Sequence, residues 1–209
     1  MEDGIRLAGP AREVPLASKL QFLFGGFYNQ FGWAWFGFTS IHFRLFLFTA
    51  VGHNEATPWQ ASLFVLLFPL IGLSFIAVGA RKGLHALRLL THGIPAQGRL
   101  VDRKMTNVSI NDASVMAMTF EFKTVDGRQA RCVAKTHLTR DLEDDAAEPL
   151  VYDAQDPSLA VLLDDLPGKP RITDSGVVLS QEGWPWRLVV LPVATALMHV
   201  VWTYFSLKD

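Results

Sequence analysis

Trp59-Gln60-Ala61-Ser62-Leu63-Phe64-Val65-Leu66-Leu67-Phe68-Pro69-Leu70-Ile71-Gly72-Leu73-Ser74-Phe75-Ile76-Ala77-Val78-Gly79 carries no charged side chain. A bilayer core takes about 20 apolar residues as helix, so this run is long enough to cross one. Two more apolar runs flank it, from Leu20 to Val51 and, beyond a long polar middle, from Trp184 to Phe205. The layout predicts an α+β membrane protein. Three transmembrane helices, two N-terminal and one C-terminal, flank a small antiparallel β-barrel-like module of the OB or SH3 kind. The expected organisation is a leader at 1–19, transmembrane helices at 20–51 and 59–80, an interfacial helix at 81–94, the soluble β module at 95–175, and a third transmembrane helix at 184–205.

Composition supports the placement, with 50% of the 209 residues hydrophobic and only 19% charged, a richer apolar share than a soluble domain of this size carries. A net charge of -1 gives no footprint for nucleic acid. The single cysteine, Cys132, excludes an intrachain disulfide and a cysteine-rich zinc site, and reads as a small core hydrophobe. Residues 1–18 mix charges with Gly4, Pro10 and Pro15 and lack a cleavage pattern, so they read as a floppy or surface-lying leader rather than a signal peptide. In the first run, Gly25, Gly32 and Gly37 are candidates for a face packed closely on a neighbouring helix.

Orientation comes from the basic residues near the helix ends. Arg6, Arg12 and Lys19 precede the first run, and Arg81, Lys82 and Arg88 follow the second, whereas the loop His53-Asn54-Glu55-Ala56-Thr57 has neither Lys nor Arg. The loop is therefore expected outside, the β module in the cytoplasm and the C-terminus outside. Trp184, Trp186, Trp202 and Tyr204 supply interfacial belts for the third helix, Arg187 snorkels, and Pro192 is expected to kink it. Leu84, Leu87 and Leu90 form one side of the interfacial helix, which His92-Gly93-Ile94-Pro95 ends.

Beyond Ala96 the pattern becomes alternating. Met116, Met118, Phe120 and Phe122 share one face of a strand, with Thr119, Glu121 and Lys123 opposite. Asp126-Gly127 then turns the chain into a second strand with Ala130, Cys132 and Ala134 on one side. Strands are also expected over Gln97 to Lys104, Glu148 to Asp153 and Ser158 to Leu163, with a helical turn between Leu138 and Asp145.

Two N-terminal membrane helices are followed by Leu89-Leu90-Thr91-His92-Gly93-Ile94-Pro95-Ala96-Gln97-Gly98-Arg99-Leu100, by the Phe120-Glu121-Phe122 strand with Asp126-Gly127, and by Leu150-Val151-Tyr152-Asp153 with Asp156-Pro157-Ser158. In that order the motifs resemble the bacterial membrane-protein family called domain of unknown function 3592, from about residue 20 to the third crossing. The family more often has proline after the Tyr-Asp pair, where this chain has Ala154. The resemblance implies a bacterial inner-membrane location and this architecture, and it brings no activity and no catalytic residues.

Ionisable groups inside apolar runs are functional candidates because their burial is costly. His42, Arg44 and His199 fall in the outer halves of their runs, and His53 and Glu55 in the outer loop, making one candidate polar site. Counted from Leu20, a rise of 1.5 Å per residue puts Arg44 roughly 35 Å along, at the outer boundary, where it pairs with Glu55 or phosphate. His42 with His199 would allow a haem or metal pair, but helical histidines without a binding motif are more often hydrogen-bonded packing residues. No catalytic residue, cofactor or metal is assigned. The acidic run Asp141-Leu142-Glu143-Asp144-Asp145 lacks the spacing of a calcium loop, and Asp164 and Asp165 read as turn formers. Asp102, Glu121 and His137 are not brought together by spacing. The expectation is an inner-membrane structural or interaction component without catalysis, partnered by the bilayer and by another protein or a second copy of itself. The alternative is a membrane redox or transport component using the outer histidines, Arg44 and Glu55.

Overall fold

Alternation from Val115 to Lys123 does build a strand, lying second from one edge of a five-stranded antiparallel sheet. The computed structural model describes residues 11–52, 59–110, 112–137, 139–142, 146–181, 185–206 and 208. Along the chain run helices α1 (Leu16–Phe24), α2 (Phe27–Gly52) and α3 (Trp59–His92), then strands β1 (Ile94–Ile110), β2 (Ala113–Lys123), β3 (Gln129–Thr136), β4 (Glu148–Tyr152), β5 (Ala160–Leu162), β6 (Pro170–Ile172) and β7 (Val178–Ser180), and last helix α4 (Val190–Ser206). They divide into a β unit, Met1–Phe22 with Leu84–Gly183, and a helical unit, Leu23–Gly83 with Trp184–Asp209.

In the β unit the large sheet has the order β3-β2-β1-β4-β5. Phe120 stands opposite Cys132 in the β2–β3 hairpin. Gly127 turns it with a φ of 84°, a left-handed conformation that glycine adopts without strain. Register shifts at Leu100/Asp102 and Met105/Ser109 break β1 into segments. Such irregularities bend a strand and increase its twist, so β1 serves β4 with its first residues and β2 along the rest. The concave side buries Met118, Phe120, Phe122, Cys132, Ala134, Leu150, Tyr152 and Leu162. Cys132 Sγ reaches the Ala160 carbonyl at 3.3 Å, so the two sheet edges approach each other. No ladder joins β3 to the three-residue β5. The module is an open curled sheet, which corrects the barrel expected from strand count. The expected helical turn is a single 3-10 turn at Thr139–Leu142.

Val151 points to the other face of β4 and starts a second core with Val14, Phe22, Leu89, Leu90, Leu163, Ile172 and Val178. Those residues come from α1 and the segment before it, the end of α3, the residue after β5 and the small hairpin β6–β7, whose three-residue strands are too short for alternation to reveal. The segment from 11 to 19 is no floppy leader. Glu13 pairs with Val177 as a parallel bridge, and Val14 and Ser18 are buried. The Ala11 and Arg12 amides both donate to Thr91 O at 2.9 Å, while the buried Arg12 guanidinium donates to Leu90 O and Gly93 O at 2.8 Å. A helix leaves its last carbonyls without intrahelical partners, and Arg12 supplies donors and positive charge at that end of α3.

The helical unit departs from expectation at two places. The run expected as one helix over 20–51 breaks at Gly25–Gly26, where Gly26 has a φ of 80° and ends α1 in the manner of a left-handed cap. Asn29 and Gln30 donate back to Leu23 O and Phe24 O at 2.8 and 2.7 Å. The second departure is at 80/81: α3 continues without a break from Trp59 to His92, so no separate interfacial helix exists. Of the expected leucine side, Leu90 is buried and Leu87 packs against the same core, alongside Ala86 and Leu89, whereas Leu84 is exposed.

Two helices, Gln60–His92 and Pro185–Ser206, are long and apolar enough to cross a membrane, two rather than the three expected. In α2 the polar residues Asn29, Gln30, Thr39, Ser40, His42 and Arg44 interrupt the apolar sequence. Pro192 stands in the first turn of α4, after a 3-10 lead-in at Pro185–Val189.

Candidate functional site

Helix α2 holds the helical unit together through small residues on one side and hydroxyls on another. A Cβ on Gly32 would come within 2.8 Å of the Ile76 amide nitrogen, one on Gly72 within 2.7 Å of the Phe36 nitrogen, and one on Gly79 within 2.7 Å of the Asn29 side chain. The paired numbers rise on one helix as they fall on the other, so α2 and α3 are antiparallel and in near-backbone contact. The Trp35 indole donates to Phe68 O at 2.8 Å, beside Pro69. Gly37, where a Cβ would meet Thr195 Oγ1 at 2.6 Å, opens the contact with α4. Thus Gly32 and Gly37 do mark packed faces, while Gly25 belongs to the helix break.

Along the α2–α4 contact the partners advance together: Gly37 with Thr195, Ser40 with His199, Arg44 with Thr203. Both helices step by three or four residues, so they run parallel, and a polar seam lies between them. Ser40 Oγ is 2.9 Å from His199 Nε2. Arg44 Nη1 lies 3.1 Å from His199 Nδ1 and 3.2 Å from His199 O, and Arg44 Nη2 donates to Thr203 Oγ1 at 3.0 Å. Thr203 Oγ1 in turn donates to His199 O at 2.8 Å. A guanidinium has no acceptor, so His199 Nδ1 accepts from Arg44 and the ring proton sits on Nε2, facing Ser40. The Ser40 hydroxyl passes its own proton to Gly37 O at 3.3 Å. With Arg44 donating to Nδ1 and Nε2–H donating to Ser40, His199 is held as a neutral ring of one tautomer.

Of the five residues singled out in sequence, the structure brings Arg44 and His199 together. His42 is exposed and on the other side of α2. Its Nδ1 donates to Phe38 O at 2.7 Å and its ring packs on Phe38 at 4.2 Å. His53 and Glu55 lie outside the described residues, as do Glu143, Asp144 and Asp145 of the acidic run. No group of three His, Cys, Asp or Glu side chains suited to a metal ion occurs among the described residues. Sequence reasoning missed Ser40, Thr195 and Thr203. Their signal was available as spacing: Ser40 and Arg44 are four apart on one helix, and Thr195, His199 and Thr203 are four apart on another, one polar stripe on each.

In the β unit a recess of about 370 Å³ is lined by Gly98, Arg99, Leu100, Phe120, Leu142, Ala146 and the buried Glu148. A smaller one of about 220 Å³ lies beside Tyr152, whose hydroxyl accepts from the Val125 amide at 2.9 Å. Asp102 pairs with Lys104 at 3.0 Å and Glu121 with Arg131 at 3.2 Å, so each is engaged by a neighbouring cation rather than by His137. The Cys132 thiol, pushed up to about 11 by burial and by the nearby Asp165 carboxylate, stays protonated at neutral pH.

No family model matches the chain, and neither a curated protein nor a solved structure matches it.

Proposed function

We propose that the chain is an integral component of the bacterial inner membrane whose β unit works at the cytoplasmic side as an interaction or accessory module, without catalysis of its own. The observation that carries this reading is the burial pattern of the two long apolar helices. Only 17% of the apolar window of Gln60–His92 and 11% of that of Pro185–Ser206 is buried inside the chain. Leu63, Phe64, Leu67, Leu197, Val200 and Val201 all face outward. A soluble protein's core helix would be covered by its own chain, whereas outward leucines and phenylalanines on this scale need lipid.

Helix α2 crosses with them. Except for the exposed His42, the polar groups that spoil its composition are engaged inside the unit: Asn29, Thr39 and Ser40 are buried, and Gln30 and Arg44 are hydrogen-bonded to neighbouring backbone and side chains. The antiparallel α3 and parallel α4 suit a chain that leaves, returns and leaves again, and the Lys and Arg flanks put the β unit inside. A partner for the β unit is supported by Met105 and Val108 on β1, which are 71% and 57% exposed. The test is fractionation followed by mild detergent extraction. Recovery in the membrane pellet with a co-purifying partner or a second copy is expected, and recovery in the high-speed supernatant without detergent overturns the reading. A redox reading through His42 and His199 finds no support in a structure that separates them, while the Arg44 seam leaves a binding role open.

A further inference from the structure

Arg44 is a permanent cation on a helix packed between two that are apolar enough to cross a membrane, and neutral groups alone hold it among the described residues: His199 Nδ1, His199 O and Thr203 Oγ1. A guanidinium presents five N–H donors. Two of them, on Nη1, serve His199 and one, on Nη2, serves Thr203, which leaves Nε–H and a second Nη2–H for an acceptor outside the seam.

The level of the group tells which acceptor to expect. With α2 starting at Phe27 rather than Leu20, Arg44 lies about 26 Å along its helix at 1.5 Å per residue, and Thr203 lies about 5 Å from the end of α4 at Ser206. The bond to Thr203 draws the guanidinium toward that end, as expected of a snorkelling side chain. Trp202, Tyr204 and Phe205 stand at the same level, with Tyr204 and Phe205 exposed and Phe48 edge-on to Trp202 at 6.5 Å. Aromatic side chains of this kind collect at headgroup depth.

We propose that Arg44, oriented by His199 and Thr203, is a binding site for a phosphate group, with the phosphodiester of a membrane lipid as its source at that depth. The inference rests on the reading of these helices as lying in lipid. His199 is a positioning residue here: its Nδ1 and carbonyl hold two of the five donors and Thr203 a third, which leaves two for the phosphate. Charge-assisted bonds from a guanidinium to phosphate are the strong class, and loss of such a pair costs about tenfold or more in affinity.

The experiment uses the full chain extracted from the membrane fraction in detergent, so that a failure of the membrane reading shows first, as protein in the supernatant. Native mass spectrometry with added phosphatidylglycerol then counts retained lipid, and thermal unfolding in inorganic phosphate tests the free anion. The expected result is one lipid retained by the wild type and about tenfold weaker retention by Arg44→Gln. Stabilisation of the wild type alone by inorganic phosphate, without lipid retention, supports the same site with a soluble anion as its source. Through Thr203, Arg44 also lies near the negative C-terminal end of α4. If offsetting that dipole were its only role, Arg44→Gln would lower thermal stability and leave lipid retention and phosphate response unchanged, which overturns the proposal. Where Arg44→Gln does not fold, Arg44→Lys decides: it keeps the charge and loses the fork, and undiminished retention overturns the proposal as well.

Discussion

The two units sort their side chains in opposite senses. The β unit buries Met118, Phe120, Leu150 and Leu162 and turns Arg131, Lys135 and Lys123 outward. The helical unit buries Asn29, Thr39, Ser40 and Thr195 and turns Leu63, Phe64, Leu197 and Val200 outward. Two burial rules in one chain are what the proposed membrane placement calls for. Where water surrounds a unit, apolar burial drives packing; where lipid does, close backbone approach and hydrogen bonds between helices hold it together. The inversion is sharpest in how hydroxyls are used: Thr124 closes a turn in the β unit by donating to Arg128 O at 2.9 Å, whereas Thr203 joins a seam between helices.

Truncating an outward and an inward apolar residue is the strongest way to break that comparison. Phe120→Ala removes a ring with no exposure at the centre of the β core, and such changes cost about 3–5 kcal/mol. Leu197→Ala, at a residue 58% exposed on α4, is expected to leave the stability of the detergent-solubilised protein unchanged. All six tryptophans fall in the helical unit, so their fluorescence follows that unit, and amide hydrogen exchange follows the sheet. Equal losses for the two variants would refute the idea of two solvents.

Cys132 sharpens the comparison chemically. Its thiol is raised from 9.0 to about 11, first by burial and then by Asp165. At neutral pH that makes the reactive thiolate about a hundredfold rarer, before any steric shielding. Labelling of the folded protein at neutral pH is expected to fail and to become fast on denaturation, so sidedness must be read from an introduced surface cysteine. The sign of the linkage is set by the raised value. Below pH 9 both states hold the proton and the contribution to stability is complete; between 9 and 11 only the unfolded chain loses it, so stability falls as pH rises. Cys132→Ala should flatten that alkaline fall in an unfolding series.

Arg12 marks the boundary of what the sequence made legible. The β2–β3 hairpin was readable because its information is local: alternation over nine residues and one Asp-Gly turn fix which side chains meet. The role of Arg12 was not, since its acceptors Leu90 O and Gly93 O lie 78 and 81 residues away. The break between α1 and α2 was hidden for another reason. Lipid-soluble sequence reads as one run whether or not the backbone turns, and only Gly25-Gly26 betrayed it. In the seam, residue types drew attention to His42 and His199, yet at 100° per residue His42 falls opposite the face shared by Ser40 and Arg44. Arg12→Met tests the cap. Burial lowers the Arg12 pKa and the guanidinium has replaced its water by two carbonyls, so the change is expected to cost about 2 kcal/mol. It should speed amide exchange in the last turn of α3 before that of β2.

Glycine offers the finest discrimination, because the two units use it for different physical reasons. Gly72 is needed for space: a Cβ there would lie 2.7 Å from the Phe36 backbone nitrogen, which cannot yield without moving α2. Gly127 is needed for conformation: its φ is +84°, and nothing stands within 4 Å of a Cβ built on it. Gly72→Ala is therefore an overpacking change of about 1–3 kcal/mol, read as a drop in the thermal midpoint of tryptophan fluorescence. Gly127→Ala carries a left-handed backbone cost of about 1–2 kcal/mol, read in exchange of the β2–β3 amides. Gly127→Asn separates the two causes, since asparagine tolerates a left-handed backbone yet is larger than alanine. If conformation is the whole cost at the turn, Asn is better accepted than Ala at 127, and at 72, where space decides, the order reverses.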